Sequence, residues 1–136
     1  MRKVFLLFVV PLFVLTAAGC GGGGGGTAVP SPFAGHWIGT FSTPPNASGT
    51  ADLTISTTGA ALGTANNTQQ GVVGAVDGNI TSAGSITATC DYGPAYLLGY
   101  GSGVLVIGGN GHLTGTIAWH NGATDMGTST FDLVKQ

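Results

Sequence analysis

From residue 33 onward, hydrophobic and polar side chains alternate along the chain with a period of two. Segments such as GHWIGTF and TADLTIST place an apolar side chain at every second position, which is typical of β-strands that bury one face. Glycine recurs too often for helices, and no dozen residues keep the helical apolar spacing of about 3.6. The pattern predicts eight or nine short strands, at residues 35–43, 50–57, 60–66, 71–76, 84–92, 95–100, 103–107, 112–120 and 126–134.

The connections between these segments predict how the strands pair. Four of them contain a pair suited to a tight hairpin turn, namely Thr58-Gly59, Asp77-Gly78, Asn110-Gly111 and Asn121-Gly122. Parallel strands would need crossover helices, so neighbouring strands should be antiparallel. Glycines that precede threonine inside the strands relieve crowding where a sheet bends, which favours closure. The fold class expected is therefore all-β, a small antiparallel up-and-down β-barrel, with a β-sandwich as the alternative.

This arrangement resembles the up-and-down barrels of avidins and lipocalins, with GHWIGTF opening the barrel and STFDLVK closing it. The resemblance extends over residues 33–136 and rests on general features of such barrels. It implies a fold and carries over no ligand-binding residue.

The first twenty residues have the organisation of an export signal. Arg2 and Lys3 precede an apolar run, and Ala17 and small residues lead into Cys20. The run is too short for a transmembrane helix, which needs about 20 apolar residues. The segment resembles the type II signal peptide of bacterial lipoproteins, although Ala17 stands where the lipobox usually has leucine. A cleaved secretory peptide and an uncleaved anchor are the alternatives.

The lipoprotein resemblance implies how the chain is divided into segments and where in the cell the protein is located. Residues 1–19 would be the signal peptide, 20–32 a lipidated cysteine with a Gly/Pro-rich tether, and 33–136 the barrel domain. Cys20 would carry diacylglycerol on its sulfur and a fatty acyl group such as palmitate on its amine, which together anchor stably. Because Gly21 rather than aspartate follows the cysteine, the outer membrane of the bacterial cell envelope is the expected location.

Charge excludes some classes of partner. After cleavage before Cys20, Lys135 would be the one basic side chain against five aspartates, a net charge of −4. A nucleic-acid binder needs clustered lysine and arginine, so nucleic acid is excluded as a partner. Polybasic attachment to anionic lipid is excluded for the same reason, which leaves the N-terminal lipid as the expected contact with the membrane.

The residues that carry reactive chemistry are scattered. His36, His112 and His120 alternate with inward apolar positions, so they should lie outside, and neither a metal site nor a catalytic group is expected. No cofactor is expected. Cys90 has no partner for a disulfide if Cys20 is lipidated, and it is interpreted as a small buried side chain rather than a reactive thiol.

Two apolar features suggest binding. Trp37, Phe41 and Trp119 share inward parity and would contact a ligand if the barrel had a lumen, although a filled core is the other interpretation. The run YLLGYGSGVLVI is apolar on both alternating faces, which suggests a protein partner or a homo-oligomer covering its outside. The candidate interface residues are Tyr96, Leu98, Tyr100, Val104 and Val106. A bulge near residues 99–103 would explain the same pattern.

The function expected from these observations is that of a membrane-anchored envelope lipoprotein, a non-enzymatic binding or assembly module. The alternatives are a carrier of small hydrophobic ligands with a barrel lumen and, third, an envelope hydrolase. A cavity inside the barrel would favour the carrier, whereas a filled interior would exclude it.

Overall fold

A computed structural model describes residues 29–45 and 47–136. The predicted signal peptide, Cys20 and most of the tether lie outside the described residues. Within the described ranges, no helix has the length and hydrophobicity needed to cross a bilayer.

Eight antiparallel strands close into a barrel in which each strand pairs with its neighbours in sequence and the first pairs with the last. This confirms the all-β up-and-down barrel, and the alternative β-sandwich is not formed. The strands are β1 (Gly35–Thr43), β2 (Ala47–Ile55), β3 (Ala60–Asn67), β4 (Val72–Ile80), β5 (Ser85–Asp91), β6 (Gly99–Ile107), β7 (His112–Asn121) and β8 (Thr124–Lys135).

Inward glycines allow the strands to coil this tightly. A Cβ at Gly49 would overlap the carbonyl of Asn66 on β3, and one at Gly63 would overlap the carbonyl of Asp52 on β2. Any larger residue would push the two strands apart at these crossings. These glycines therefore let the backbones of neighbouring strands come close together, which the tight curvature of the closed sheet requires.

The predicted break inside the sixth strand is wrong. Residues 99–107 form one strand, while residues 92–98 form the connection from β5. The strand continues because Gly101 leaves room for the ring of Trp119 and the side chain of Ile117. The bulge considered near residues 99–103 is also absent, since β6 keeps its register with both neighbours.

The predicted turn at Asp77-Gly78 is wrong as well. Both residues continue β4, where Gly78 pairs with Ala61 on one side and Ala88 on the other. Ladder hydrogen bonds to two strands therefore outweigh the local turn preference of the pair. The chain turns further on, where Gly84 has a φ of 87°. The other three predicted turns each contain a glycine with positive φ, at Gly59, Gly111 and Gly122.

One end of the barrel is packed solid. The ring of Trp37 is 1% exposed, and its Nε1 donates a hydrogen bond of 2.8 Å to the carbonyl of Phe33. Phe33 belongs to the segment that leads into β1, so this segment folds across the end of the barrel and covers it. Lys135 lies over the Trp37 ring at 5.6 Å and donates to the carbonyl of Ala34. Three further side chains of this half are almost fully buried, namely Ile80, Leu113 and Leu133.

Candidate functional site: an apolar lumen open at one end

The half of the barrel away from Trp37 contains a cavity of about 330 Å³. Its inner wall is formed by Leu53, Ile86 and Ile117, which are at most 4% exposed. Its outer part is bordered by Tyr96 and Leu97 in the β5–β6 connection, which are 38% and 56% exposed. Since the lining runs from fully buried to exposed side chains, the cavity reaches the surface at this end, which we call the mouth.

The cavity exists because several inward positions carry alanine. Ala51, Ala61, Ala65 and Ala88 line it, and each occupies a place where a larger residue would reach toward the barrel axis. The filled core expected for a small barrel is therefore present only in the half that holds Trp37. The alanines themselves were visible in the sequence as inward positions on β2, β3 and β5.

A hydrogen-bonded group of three side chains lies near the mouth. The indole Nε1 of Trp119 donates to Ser129 Oγ at 2.8 Å, and Ser129 Oγ lies 2.5 Å from Thr43 Oγ1. Thr43 and Ser129 are 6% and 3% exposed, and all three residues line the cavity. The sequence analysis missed the two hydroxyls, although both share the inward parity of the neighbouring Phe41 and Phe131.

Asn67 adds a second polar group to the lining. Its Oδ1 accepts hydrogen bonds from the backbone N–H of Gln69 and Gln70, and its Nδ2 donates to Gln70 Oε1 at 3.0 Å. The side chain therefore holds the β3–β4 turn while one hydrogen of its amide remains uncommitted among the described residues. The inward parity of Asn67 at the end of β3 was the available signal.

Cys90 and Tyr92 form the wall on the β5 side. Burial raises the pKa of the Cys90 thiol, and a hydrogen bond with Tyr92 offsets part of this effect. Burial and the neighbouring thiol also raise the pKa of Tyr92. Both groups are therefore neutral at physiological pH. Cys90 is buried and has no disulfide partner among the described residues, which agrees with a small buried side chain.

The raised pKa of Cys90 predicts slow alkylation. In a Cys20→Ser variant, iodoacetamide at pH 8 should modify Cys90 of the native protein at least about tenfold more slowly than in the urea-unfolded protein, because the thiolate is the nucleophile. The rate should continue to increase with pH beyond the range in which a free thiol titrates. Equal rates for native and unfolded protein would contradict this environment.

The chain matches no family model, no curated protein and no solved structure.

The three candidate ligand contacts fall in different places. Phe41 and Trp119 line the cavity, and Phe41 stacks on Phe131 with ring centroids 6.0 Å apart. Trp37 does not line it, because its ring is enclosed in the packed half. The expectation that Trp37 borders a lumen is therefore corrected: parity places a side chain inside the barrel and says nothing of its depth.

The five candidate interface residues do not form one surface. Tyr100, Val104 and Val106 project from the outside of β6 and are 46–51% exposed. Tyr96 instead borders the mouth. Leu98 is half-buried, and its carbonyl accepts a hydrogen bond from Asn121 Nδ2. Within this run, the apolar side chains on the outer face of the barrel are thus those of β6. Leu62 on β3 and Val73 on β4 are exposed apolar side chains elsewhere on the outer face.

The histidines lie on the outside, as their parity predicted. His36 pairs with Asp52 at 2.7 Å and His112 with Asp132 at 2.6 Å, both on the barrel surface. His120 is exposed beside Tyr100, with ring centroids 6.3 Å apart. Among the described residues, no three histidine, cysteine or acidic side chains come together as a metal site would require.

Proposed function

We propose that the barrel binds a small apolar molecule in its lumen, without catalysing a reaction on it. The observation that carries the proposal is the cavity of about 330 Å³, which is within the range of roughly 300–1,000 Å³ typical of small-molecule sites. Its wall is almost entirely aliphatic and aromatic, so moving an apolar ligand from water into the cavity would lower the free energy. A few polar groups near the mouth supply the orientation that such sites usually have.

The proposal includes an anchor at Cys20 in the bacterial cell envelope. The described part of the chain supports a defined orientation for such an anchor. Ser31 donates a backbone hydrogen bond of 2.8 Å to the carbonyl of Thr57, so the chain enters the barrel at the closed end. A lipid on the preceding tether would hold this end toward the membrane. The mouth would then face away from the bilayer, where it could exchange ligand with the surrounding solution.

Titration of the native protein with the neutral fluorophore N-phenyl-1-naphthylamine tests lumen binding. We expect saturable binding of one probe per chain with increased and blue-shifted emission, because the probe leaves water for an apolar wall. Quenching of Trp119 emission should saturate at the same ratio, and a Trp37→Phe variant should retain it. No saturable binding, or several weak sites per chain, would refute the proposed function.

The anchor is tested separately. Globomycin should make the unprocessed precursor accumulate, and Cys20→Ser should move the protein from the membrane fraction to the soluble fraction. The reason is that two or three acyl chains each contribute roughly 0.8 kcal/mol per buried methylene, which the tether cannot replace. A Cys90→Ser variant is the matched control and should remain with the membrane. An unchanged distribution after both treatments would reject lipidation.

A further inference from the structure

The polar groups of the lumen indicate what kind of ligand it takes. Four of them lie on one arc of the mouth: Trp119 on β7, Ser129 on β8, Thr43 on β1 and Asn67 on β3, with Ala47 of β2 between the last two. The phenols of Tyr92 and Tyr96 line the cavity from the β5–β6 connection. Below this arc the wall is apolar, from Leu53 on β2 to Ile117 on β7. A ligand that fills the cavity would therefore place an apolar body inside and a polar group at the arc.

The side chains of this arc have hydrogen-bond donors that are not used within the protein. Ser129 and Thr43 carry two hydroxyl hydrogens between them, and the contact between their oxygens uses one. The described residues provide no second acceptor for the other hydrogen, and the same is true of one amide hydrogen of Asn67. Thr43, Ser129 and Asn67 are each more than nine-tenths buried, and all three line the cavity. This buried arc therefore has two unpaired donor hydrogens. The two hydroxyl oxygens also keep unused lone pairs, but a buried acceptor lone pair costs less to leave unpaired than a buried donor hydrogen.

Charge is missing from the same wall. Among the described residues, the titratable groups that line the cavity are Cys90, Tyr92 and Tyr96, so the lining holds no carboxylate, lysine, arginine or histidine. The positive charge of Lys135 lies at the opposite end, where it bonds to Ala34. A carboxylate or phosphate in the lumen would lose its hydration with no countercharge in reach, which is far more costly than burying a neutral carbonyl that accepts a hydrogen bond.

From these observations we infer that the ligand is an uncharged amphiphile: an apolar body that ends in a neutral oxygen acceptor such as a ketone, ester or amide carbonyl. The carbonyl oxygen lies at the Thr43–Ser129 pair and accepts its spare hydrogen. This inference rests on the proposed function and specifies the ligand class for the same site.

The test compares butylbenzene, 4-phenylbutan-2-one and 4-phenylbutyrate, which share a phenyl ring and a four-carbon chain and carry no polar group, a ketone near the chain end and a terminal carboxylate, respectively. Each displaces N-phenyl-1-naphthylamine from the full-length native protein. The quantity of interest is the affinity of the ketone relative to the hydrocarbon, compared between the native protein and a variant that lacks the donors of the Trp119–Ser129–Thr43 group. This comparison cancels the difference in hydration of the two free ligands.

The variant is Thr43→Val/Ser129→Ala/Trp119→Phe. All three changes are needed, because removing one hydroxyl leaves the other hydroxyl or the indole N–H free to donate. We expect the relative affinity for the ketone to fall roughly tenfold in this variant, the effect of leaving one buried acceptor unpaired. The matched control, Ser42→Ala/Thr130→Val, alters hydroxyls on the outside of the same two strands and should leave the ratio unchanged. An unchanged ratio in a triple variant that still binds butylbenzene would overturn the inference.

Binding of the acid to the native protein provides an independent test, which is needed if the triple variant does not fold. 4-Phenylbutyrate should bind only in its protonated form, so its apparent affinity should fall about tenfold per pH unit above the pKa of the free acid. 4-Phenylbutan-2-one should bind equally well over the same pH range. Tight binding of the ionised acid at pH 7.5 would overturn the uncharged ligand class. If neither the fluorophore nor butylbenzene binds, the proposed function itself fails.

Discussion

Replacing Trp37 with alanine should lower the free energy of unfolding by about 3–5 kcal/mol, the usual cost of deleting a fully buried aromatic side chain. The ring is 1% exposed and lies under the segment that closes the barrel. Its removal deletes the contacts of the packed half and leaves the carbonyl of Phe33 without its donor. Urea unfolding followed by circular dichroism measures the change, with the m-value as a check that the native state stays compact.

Trp119→Ala is the matched control for this prediction. Trp119 has the same inward parity but is only partly buried and borders a cavity, so its loss should cost about 1–2 kcal/mol. The two tryptophans should also differ in binding, since only Trp119 touches a ligand in the lumen. Equal destabilisation by the two substitutions would mean that both halves of the barrel are packed alike, contrary to the structure.

Filling the lumen should weaken binding at least about tenfold without unfolding the protein. In the variant Ala65→Leu/Ala88→Leu, each leucine adds three carbon atoms in a space now empty of protein. We expect affinity for N-phenyl-1-naphthylamine to fall by about tenfold or more, which corresponds to at least about 1.4 kcal/mol. The midpoint of urea unfolding should stay the same or increase, because burying each added methylene contributes roughly 0.8 kcal/mol when it fits without strain.

The control for the filled variant adds the same side chains outside the barrel. Ala75 and Ala118 are exposed and project from the outer face of β4 and β7. Ala75→Leu/Ala118→Leu should bind the fluorophore as the native protein does. Loss of binding in this control, or full binding in the filled variant, would place the ligand somewhere other than the lumen.

Alternation and turn residues in the sequence predicted most of the fold. The period of two placed Trp37 and Phe41 inside, and both are buried. Local signals failed where pairing with two neighbouring strands overrode them, as at Asp77-Gly78, and where glycines within a continuous strand resembled a break, as at Gly101. Such outcomes depend on contacts between strands, which a single segment does not encode.

The candidate site was predicted only in part, for a different reason. Trp37 and Trp119 share a parity, yet one is sealed in the packed half and the other borders the lumen. Depth along the barrel axis depends on the register of the strands and on where the segment containing Phe33 folds across the end. The hydroxyl pair of Thr43 and Ser129 is formed by residues 86 apart in the chain and arises only when β8 closes on β1.

The most direct test of an open apolar lumen is a crystal structure grown with a neutral ketone that carries bromine at the end of its apolar chain. The account predicts one anomalous bromine peak per chain among Leu53, Leu105 and Ile117, with the carbonyl oxygen beside Thr43 and Ser129. A bromine peak on the outer face of β6, at Tyr100 and Val104, or a lumen filled by protein side chains with no bromine, would contradict it.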